Sequence, residues 1–221
     1  MLKEAVTLLD IYKSNQGRIA NKYPHHLEEY EKYFGQFRGE EVTVVEVGVA
    51  DGGSLQVWKE YFGPDAHIIG IDIADRTHLA EEVGADIVLG DQGSHDFWKV
   101  FKQAYPKVDI LIDDGSHRFQ DQQVTFLEMF PHLQPYGIYA CEDLHTSYHS
   151  EFGGGYKSSF SFIGLLKESL DTLHWSRYQG KAPFEEIKNE LYGVHVYPSL
   201  AILEKRPART FGGPTMTGKN A

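Results

Sequence analysis

The stretch Val108–His117, V-D-I-L-I-D-D-G-S-H, holds two adjacent acids and a histidine directly behind an apolar run. Gly137–His145, G-I-Y-A-C-E-D-L-H, repeats the arrangement. Near-continuous apolar runs of this length read as buried parallel strands, covered on both faces. In an open α/β sheet, ligands bind beyond the carboxyl ends of such strands. Two neighbouring strands would therefore deliver Asp113, Asp114, His117, Glu142, Asp143 and His145 to one rim. So many acids repel one another unless a cation or a proton sits among them. A hard divalent metal beside a general base is the chemistry this suggests. Any one of these acids could instead cap the helix that follows, but that explanation does not easily cover all six residues.

A second candidate is the loop after the first predicted strand, Thr43–Val47, which reads V-E-V-G-V-A-D-G-G-S. Its glycines let a ligand approach the backbone, and Ser54 suits the N-cap of a helix running to about Tyr61. The Lys-Ser/Thr pair of a Walker loop is absent, and Ala50 stands where a dinucleotide fingerprint needs its middle glycine. The form E-x-G-x-x-x-G is instead that of adenosylmethionine-binding loops, with Glu46 facing the cationic end of the cofactor. Asp72 closes a second strand, His67–Ile73, at the distance where an acid commonly accepts from ribose hydroxyls. Asp91 and Gln92 follow a third strand, Ala85–Leu89, where they could meet an adenine edge or simply form a turn.

The elements that must position these residues can be read in order. An amphipathic helix is predicted over 2–13, then a loop Ser14–Asn21, then a second helix over about 25–37 carrying Leu27, Tyr30, Phe34 and Phe37. Further helices are expected over 94–105, 121–130 and 161–173. Between them, T-S-Y-H-S-E-F-G-G-G-Y-K-S-S suits a mobile rim over a pocket or a plain surface loop. Gly193–Glu204 reads as an antiparallel hairpin about Tyr197-Pro198-Ser199, at the sheet edge. One domain over 1–206 is expected, with residues 1–40 as a helical lid or docking segment and 207–221 as a disordered tail.

The net charge of −11 argues against nucleic acid or an anionic membrane as partner. No apolar run approaches the ~20 residues of a membrane span. The lone cysteine, Cys141, excludes an internal disulfide and suits a small buried position. A cytoplasmic protein acting on a small molecule is the simplest expectation. The aromatic N-terminal helices suit either a contact in a homo-oligomer or a cover over the cofactor.

These motifs together resemble the class I S-adenosylmethionine-dependent methyltransferases, whose α/β Rossmann-like sheet is mostly parallel and ends in an antiparallel hairpin. L-I-D-D-G-S-H, C-E-D-L-H-T-S-Y, F-G-G-G and G-V-H-V-Y-P-S-L-A-I-L-E-K further resemble the metal-dependent macrolide-sugar O-methyltransferases of the mycinamicin type, and their short bacterial relatives. The resemblance covers about residues 15–206. It implies that Asp114, Glu142 and Asp143 bind Mg²⁺ and that His117 is the general base. It also implies that Glu46, Gly48, Ser54, Asp72, Asp91 and Gln92 line the adenosylmethionine site, with Asp113 beside them. His145 and Tyr148 are then the expected substrate contacts. The macrolide enzymes carry an additional N-terminal domain, which is not expected within these 221 residues, and His145 stands where they have an aromatic residue.

The residue types agree with that implication. Carboxylates are the hard ligands Mg²⁺ prefers, and a metal chelated by two adjacent hydroxyls would stabilise an alkoxide. The expected reaction is therefore methyl transfer to a hydroxyl of a sugar or other vicinal diol, in natural product biosynthesis. A catechol or other phenolic acceptor, a nicotinamide-dependent oxidoreductase, and a non-catalytic cofactor-binding protein are the alternatives.

Overall fold

The structure, a computed structural model, describes residues 6–177 and 180–208. The expected tail lies, from residue 209 on, outside the described residues, as do the first four residues of the predicted N-terminal helix. The strands are β1 (Thr43–Val47), β2 (His67–Asp72), β3 (Asp86–Leu89), β4 (Ile110–Asp113), β5 (Ile138–Glu142), β6 (Leu191–Tyr197) and β7 (Leu200–Lys205). They form one sheet in the order β3-β2-β1-β4-β5-β7-β6. β7 runs antiparallel to both β5 and β6, and every other pairing is parallel. The predicted hairpin is present, with its second strand against β5 and its first on the outside.

Among the described residues seven α-helices accompany the sheet: α1 (Leu8–Ser14), α2 (Pro24–Phe34), α3 (Gly53–Phe62), α4 (Ala80–Val83), α5 (His95–Ala104), α6 (Phe119–Met129) and α7 (Phe162–Leu173). The short α4 and the 3-10 turn before it were not expected; four residues are too few for a visible helical period.

Alternation along the strands divides the core in two. Val44, Ile68, Ile110, Ile112, Ile138, Ala140 and Ile202 face α1, α2 and α3. Val45, Ile69, Leu111, Tyr139, Cys141 and Leu203 face α5, α6 and α7. Tyr30, Phe34, Trp58 and Phe62 form an aromatic cluster on the first side, with Tyr30 and Phe34 stacked at 4.6 Å. At about 1.5–3 kcal/mol for each fully buried large side chain, Leu27, Tyr30 and Phe34 tie α2 firmly to the sheet. Residues 6–40 thus pack as a layer over one face of the sheet.

The register matters most for function. Val47 pairs with Asp113, and Asp113 with Cys141, so β1, β4 and β5 end nearly level. The chain leaves β1 for β2 on one side and later returns to place β4 on the other, which makes the β1/β4 junction the crevice of this sheet.

Candidate active site

The loop after β1 forms the floor of a cleft. Gly48 has φ +97°, and a Cβ there would lie 2.2 Å from the Asp114 carbonyl oxygen. Only glycine fits both the conformation and the approach. Gly48→Ala is therefore expected to cost at least about 1–2 kcal/mol from left-handed strain alone. It should also displace the β4 tip, which urea denaturation and adenosylmethionine titration would both register. α3 starts from Gly52 in the left-handed conformation, not from a Ser54 cap. Ser54 instead donates its hydroxyl to Glu46 Oε2 at 2.5 Å.

Two adjoining hollows share Gly48, Asp72 and Gly115. The first is lined by Ile71, Asp72, Gly90, Asp91, Gln92, Ser116 and Asp121. Asp72 Oδ2 accepts from the backbone N–H groups of Val49 (3.0 Å) and Ala50 (3.2 Å), and its Oδ1 from Ala74 N. It fastens the glycine loop to β2 as well as facing the cleft. Asp91 lies at the mouth, holding Gly93 N.

Asp113 does not reach the surface of the cleft, and Gln92 reaches it while bonded to its neighbours. Asp113 is fully buried and accepts from Gln92 Nε2 (2.9 Å) and Tyr139 OH (3.1 Å). Burial raises its pKa, against those hydrogen bonds. Gln92 lines the hollow, yet its Nε2 is committed to Asp113 and Thr125, and its Oε1 to Ser116 N. These two residues brace the loops after β3 and β4.

The second hollow is lined by Ile19–Lys22, the glycine loop, Asp114, His117 and Asp143. Here the structure divides the expected acidic cluster into two groups that share Asp114. In the inner group, Lys22 Nζ lies 2.8 Å from Glu46 Oε1, 2.6 Å from Asp114 Oδ2 and 2.7 Å from Glu142 Oε1. Glu142 also accepts from Tyr30 OH at 2.9 Å, and its Oε2 lies 3.2 Å from His26 Nδ1. Burial opposes ionisation of Glu142, but Lys22 and His26 prevail and its pKa falls to about 2. Burial alone would depress Lys22, yet Glu142, Glu46 and Asp114 lift it well above its ordinary value. Lys22 was missed from the sequence, where it sits unremarked at the end of a polar loop.

The outer group is Asp114, His117 and Asp143, whose ligand atoms lie within 4.8 Å of one another. His117 Nε2 is 3.5 Å from Asp143 Oδ2, while its Nδ1 is buried without a hydrogen-bond partner. His117 (φ +57°) and Asp143 (φ +54°) both adopt left-handed backbone, which turns each side chain back over its strand end. His145 Nδ1 meets Ser199 Oγ at 2.5 Å and lies 3.8 Å from Asp143 Oδ1. The expected ligand trio of Asp114, Glu142 and Asp143 is therefore not assembled as such, because Glu142 is turned inward to Lys22, Tyr30 and His26. Tyr148 is also displaced from expectation: it lines a neighbouring hollow with Gly155, Tyr156 and Lys167.

The site still fits a divalent cation. Glu46, Asp114, Glu142 and Asp143 supply four carboxylates against one ammonium. Burial, with the charges of Glu142 and Glu46, outweighs Lys22 and pushes Asp114 up to about 8. A surplus of negative charge beside open oxygen ligands is what Mg²⁺ or Mn²⁺ would relieve.

Comparison with known proteins bears on the same residues. No protein-family model matches the chain. It is 38% identical over 194 residues to the 8-demethyl-8-α-L-rhamnosyl tetracenomycin-C 2'-O-methyltransferase of Streptomyces olivaceus, covering 83% of this chain and 51% of that protein. It is 37% identical to the demethylmacrocin O-methyltransferase of Streptomyces fradiae, over 80% of this chain and 47% of that one. Among solved structures, the MycE methyltransferase of the mycinamycin pathway, in complex with Mg, SAH and mycinamycin VI, superimposes with a TM-score of 0.81 at 31% identity. That match covers 96% of this chain and 56% of the other. Over the length it shares with these proteins, the chain has the fold of the MycE methyltransferase. The chain has the expected mostly parallel sheet and antiparallel hairpin, and it spans about half the length of the curated relatives it matches. No described helix is long and apolar enough to cross a membrane.

Proposed function

We propose that the protein is an S-adenosylmethionine-dependent, divalent-metal-dependent O-methyltransferase whose acceptor is a hydroxyl of a glycoside, next to a second hydroxyl. The observation that carries this reading is the convergence of Asp114, His117 and Asp143 at the open end of the glycine-loop cleft. The tetracenomycin relative named above supports the acceptor class, since its name describes 2'-O-methylation of a rhamnosyl compound.

Asp114 and Asp143 would hold the ion through carboxylate oxygens, with water and the acceptor completing its shell. When bound, such an ion polarises the acceptor hydroxyl and fixes its direction. Imidazole nitrogen is a poor ligand for a hard cation, so His117 is left to receive the hydroxyl proton at Nε2. Asp143, 3.5 Å from that nitrogen, stabilises the imidazolium that results. The cofactor would lie along the two hollows, adenosine towards Asp91 and the methionine end over Gly48–Ala50, with the sulfonium methyl directed at the rim. Glu46, being fully buried, acts on the methionine end only through the loop it braces with Ser54.

The test is a screen with methyl-labelled adenosylmethionine, using α-L-rhamnosides and other deoxyhexosides beside catechols, with and without EDTA. Label should enter a glycoside, vanish with EDTA and return with Mg²⁺. Preferential labelling of catechols would replace the acceptor class, and activity indifferent to EDTA would remove the metal. Tight binding of NAD in place of adenosylmethionine would end the reading altogether.

A further inference from the structure

The neighbouring hollow beyond β5 plays no part in the methyl transfer set out above, yet its lining is unusual for this chain. Tyr148, Tyr156, Lys157, Ser158 and Lys167 form most of its wall, and no acid is among the residues that line it. The protein as a whole has a net charge of −11, so a wall carrying only positive charge runs against the general field. Lys157 Nζ lies 5.4 Å from the centroid of the Tyr156 ring, and neither lysine has an ion pair among the described residues. The nearest acids in the chain are turned elsewhere. Glu151 meets His149 at 3.4 Å, and Glu168 follows Lys167 on α7, one position round the helix and outside the wall.

The wall is fastened at several points. Gly155 N donates to Ser147 O (2.9 Å) and Gly154 N to His149 O (3.1 Å). A Cβ at Gly154 would lie 2.2 Å from the Ser147 carbonyl oxygen, so the glycine run lies directly on that residue. Ser161 Oγ accepts from Gly164 N and donates to Ser158 O, each at 3.0 Å, which ties the loop to the start of α7. The same segment adjoins the proposed base. Thr146 Oγ1 donates to Asp143 O (2.7 Å) and reaches His117 O (3.4 Å), and the Phe152 ring stands edge-on to His117 at 6.4 Å. Ser147 and Tyr148, the next residues, already line the hollow.

We propose that Lys157 and Lys167 form a subsite for an anionic group, a phosphate or a carboxylate, carried by the acceptor beyond the sugar that is methylated. The inference rests on the glycoside reading above and narrows it to acidic glycosides. Tyr148 and Tyr156, 52% and 79% exposed, offer ring faces on which the connecting part of such an acceptor would lie.

Paired acceptors test this: methyl α-L-rhamnoside beside α-L-rhamnose 1-phosphate, a nucleoside diphosphate of the same sugar, and a rhamnosyl uronate. In the wild-type chain kcat/KM for an anionic acceptor should exceed that for the neutral one at least about tenfold, mainly through KM, since hydrogen bonds to charged groups are the stronger kind. The phosphate and uronate arms identify which acid supplies the anion. The double variant Lys157→Asn, Lys167→Met should bring the ratio down to about threefold or less, leaving only the weak long-range field. Asparagine is used at 157 because that position has φ +60°. Lys167→Arg, which keeps the charge, should retain the preference. A merely structural part for the lysines would lower both acceptors together and leave the ratio alone. A ratio near one in the wild type, or one that the double variant does not alter, would overturn the proposal.

If no glycoside of either kind takes the label, the glycoside reading falls and binding decides the subsite. Titration of the full chain with α-L-rhamnose 1-phosphate in EDTA, followed by phosphorus NMR, should then show binding at least about tenfold weaker in the double variant. Equal binding by the two chains would overturn the subsite as well.

Discussion

His117→Asn should lower kcat by about 10²–10⁴-fold, the usual contribution of a positioned proton acceptor. Asparagine is the informative replacement because the position has φ +57°, which asparagine tolerates and alanine does not. The backbone is therefore kept while the basic nitrogen is lost. His117 belongs to the second hollow, and the first is lined by Asp72, Asp91 and Gln92. Adenosylmethionine affinity should accordingly change by no more than about threefold, a separation of binding from chemistry that calorimetry beside steady-state kinetics would measure. Normal turnover by His117→Asn would remove the histidine from the proton transfer.

Asp114→Asn should reduce turnover by at least about 10²-fold and leave the residue of activity indifferent to Mg²⁺, since the carboxylate shared between the two groups loses its charge. Its effect on stability should run the other way. In the metal-free chain Asp114 is pushed up to about 8, chiefly by burial and by Glu142 and Glu46, from an ordinary 3.8. Between those values the native form retains a proton that the unfolded form has released. Stability from this group is therefore full below pH 4 and is lost as the pH rises towards 8. Asp114→Asn removes that loss, so at pH 8 in EDTA its thermal midpoint should equal or exceed that of the wild type. Glu142 has the opposite sign. Lowered to about 2 against its burial, mainly by Lys22, it contributes stability above pH 4.5 that disappears as the pH falls towards 2. A midpoint for Asp114→Asn well below that of the wild type at pH 8 would show that the carboxylate holds the site together more than it strains it.

The strands were legible because their side chains alternate between two buried faces: Val44 and Val45 go to opposite cores, as do Ile68 and Ile69. The convergence of strand-end acids was legible for the same reason, because parallel strands ending in acids must place them on one side. What could not be read was the partnering of those acids. Lys22 meets residues 92 and 120 positions away, and nothing in S-N-Q-G-R-I-A-N-K marks the lysine as inward-facing. The available signal was a deficit: several acids were gathered at one rim with no cation assigned to them. The same limit misplaced Ser54 and Asp113. Each follows a recognisable local pattern, but their partners, Glu46 and the Gln92–Tyr139 pair, depend on how other loops fold over the strand ends.

The turn between β6 and β7 reaches far back along the chain. Pro198 O receives both His25 Nε2 (2.8 Å) and His26 Nε2 (3.2 Å), and Ser199 meets His145. These contacts join segments more than 170 residues apart at one end of the sheet. During synthesis the ribosome releases the acids of β1, β4 and β5 well before this brace exists. A nascent chain halted before Lys205 would carry a crowded acidic edge on an unpaired β5, open to a second chain or to a chaperone. Maturation of the site is thereby tied to the arrival of β7, and arrested intermediates should be the species most prone to aggregate.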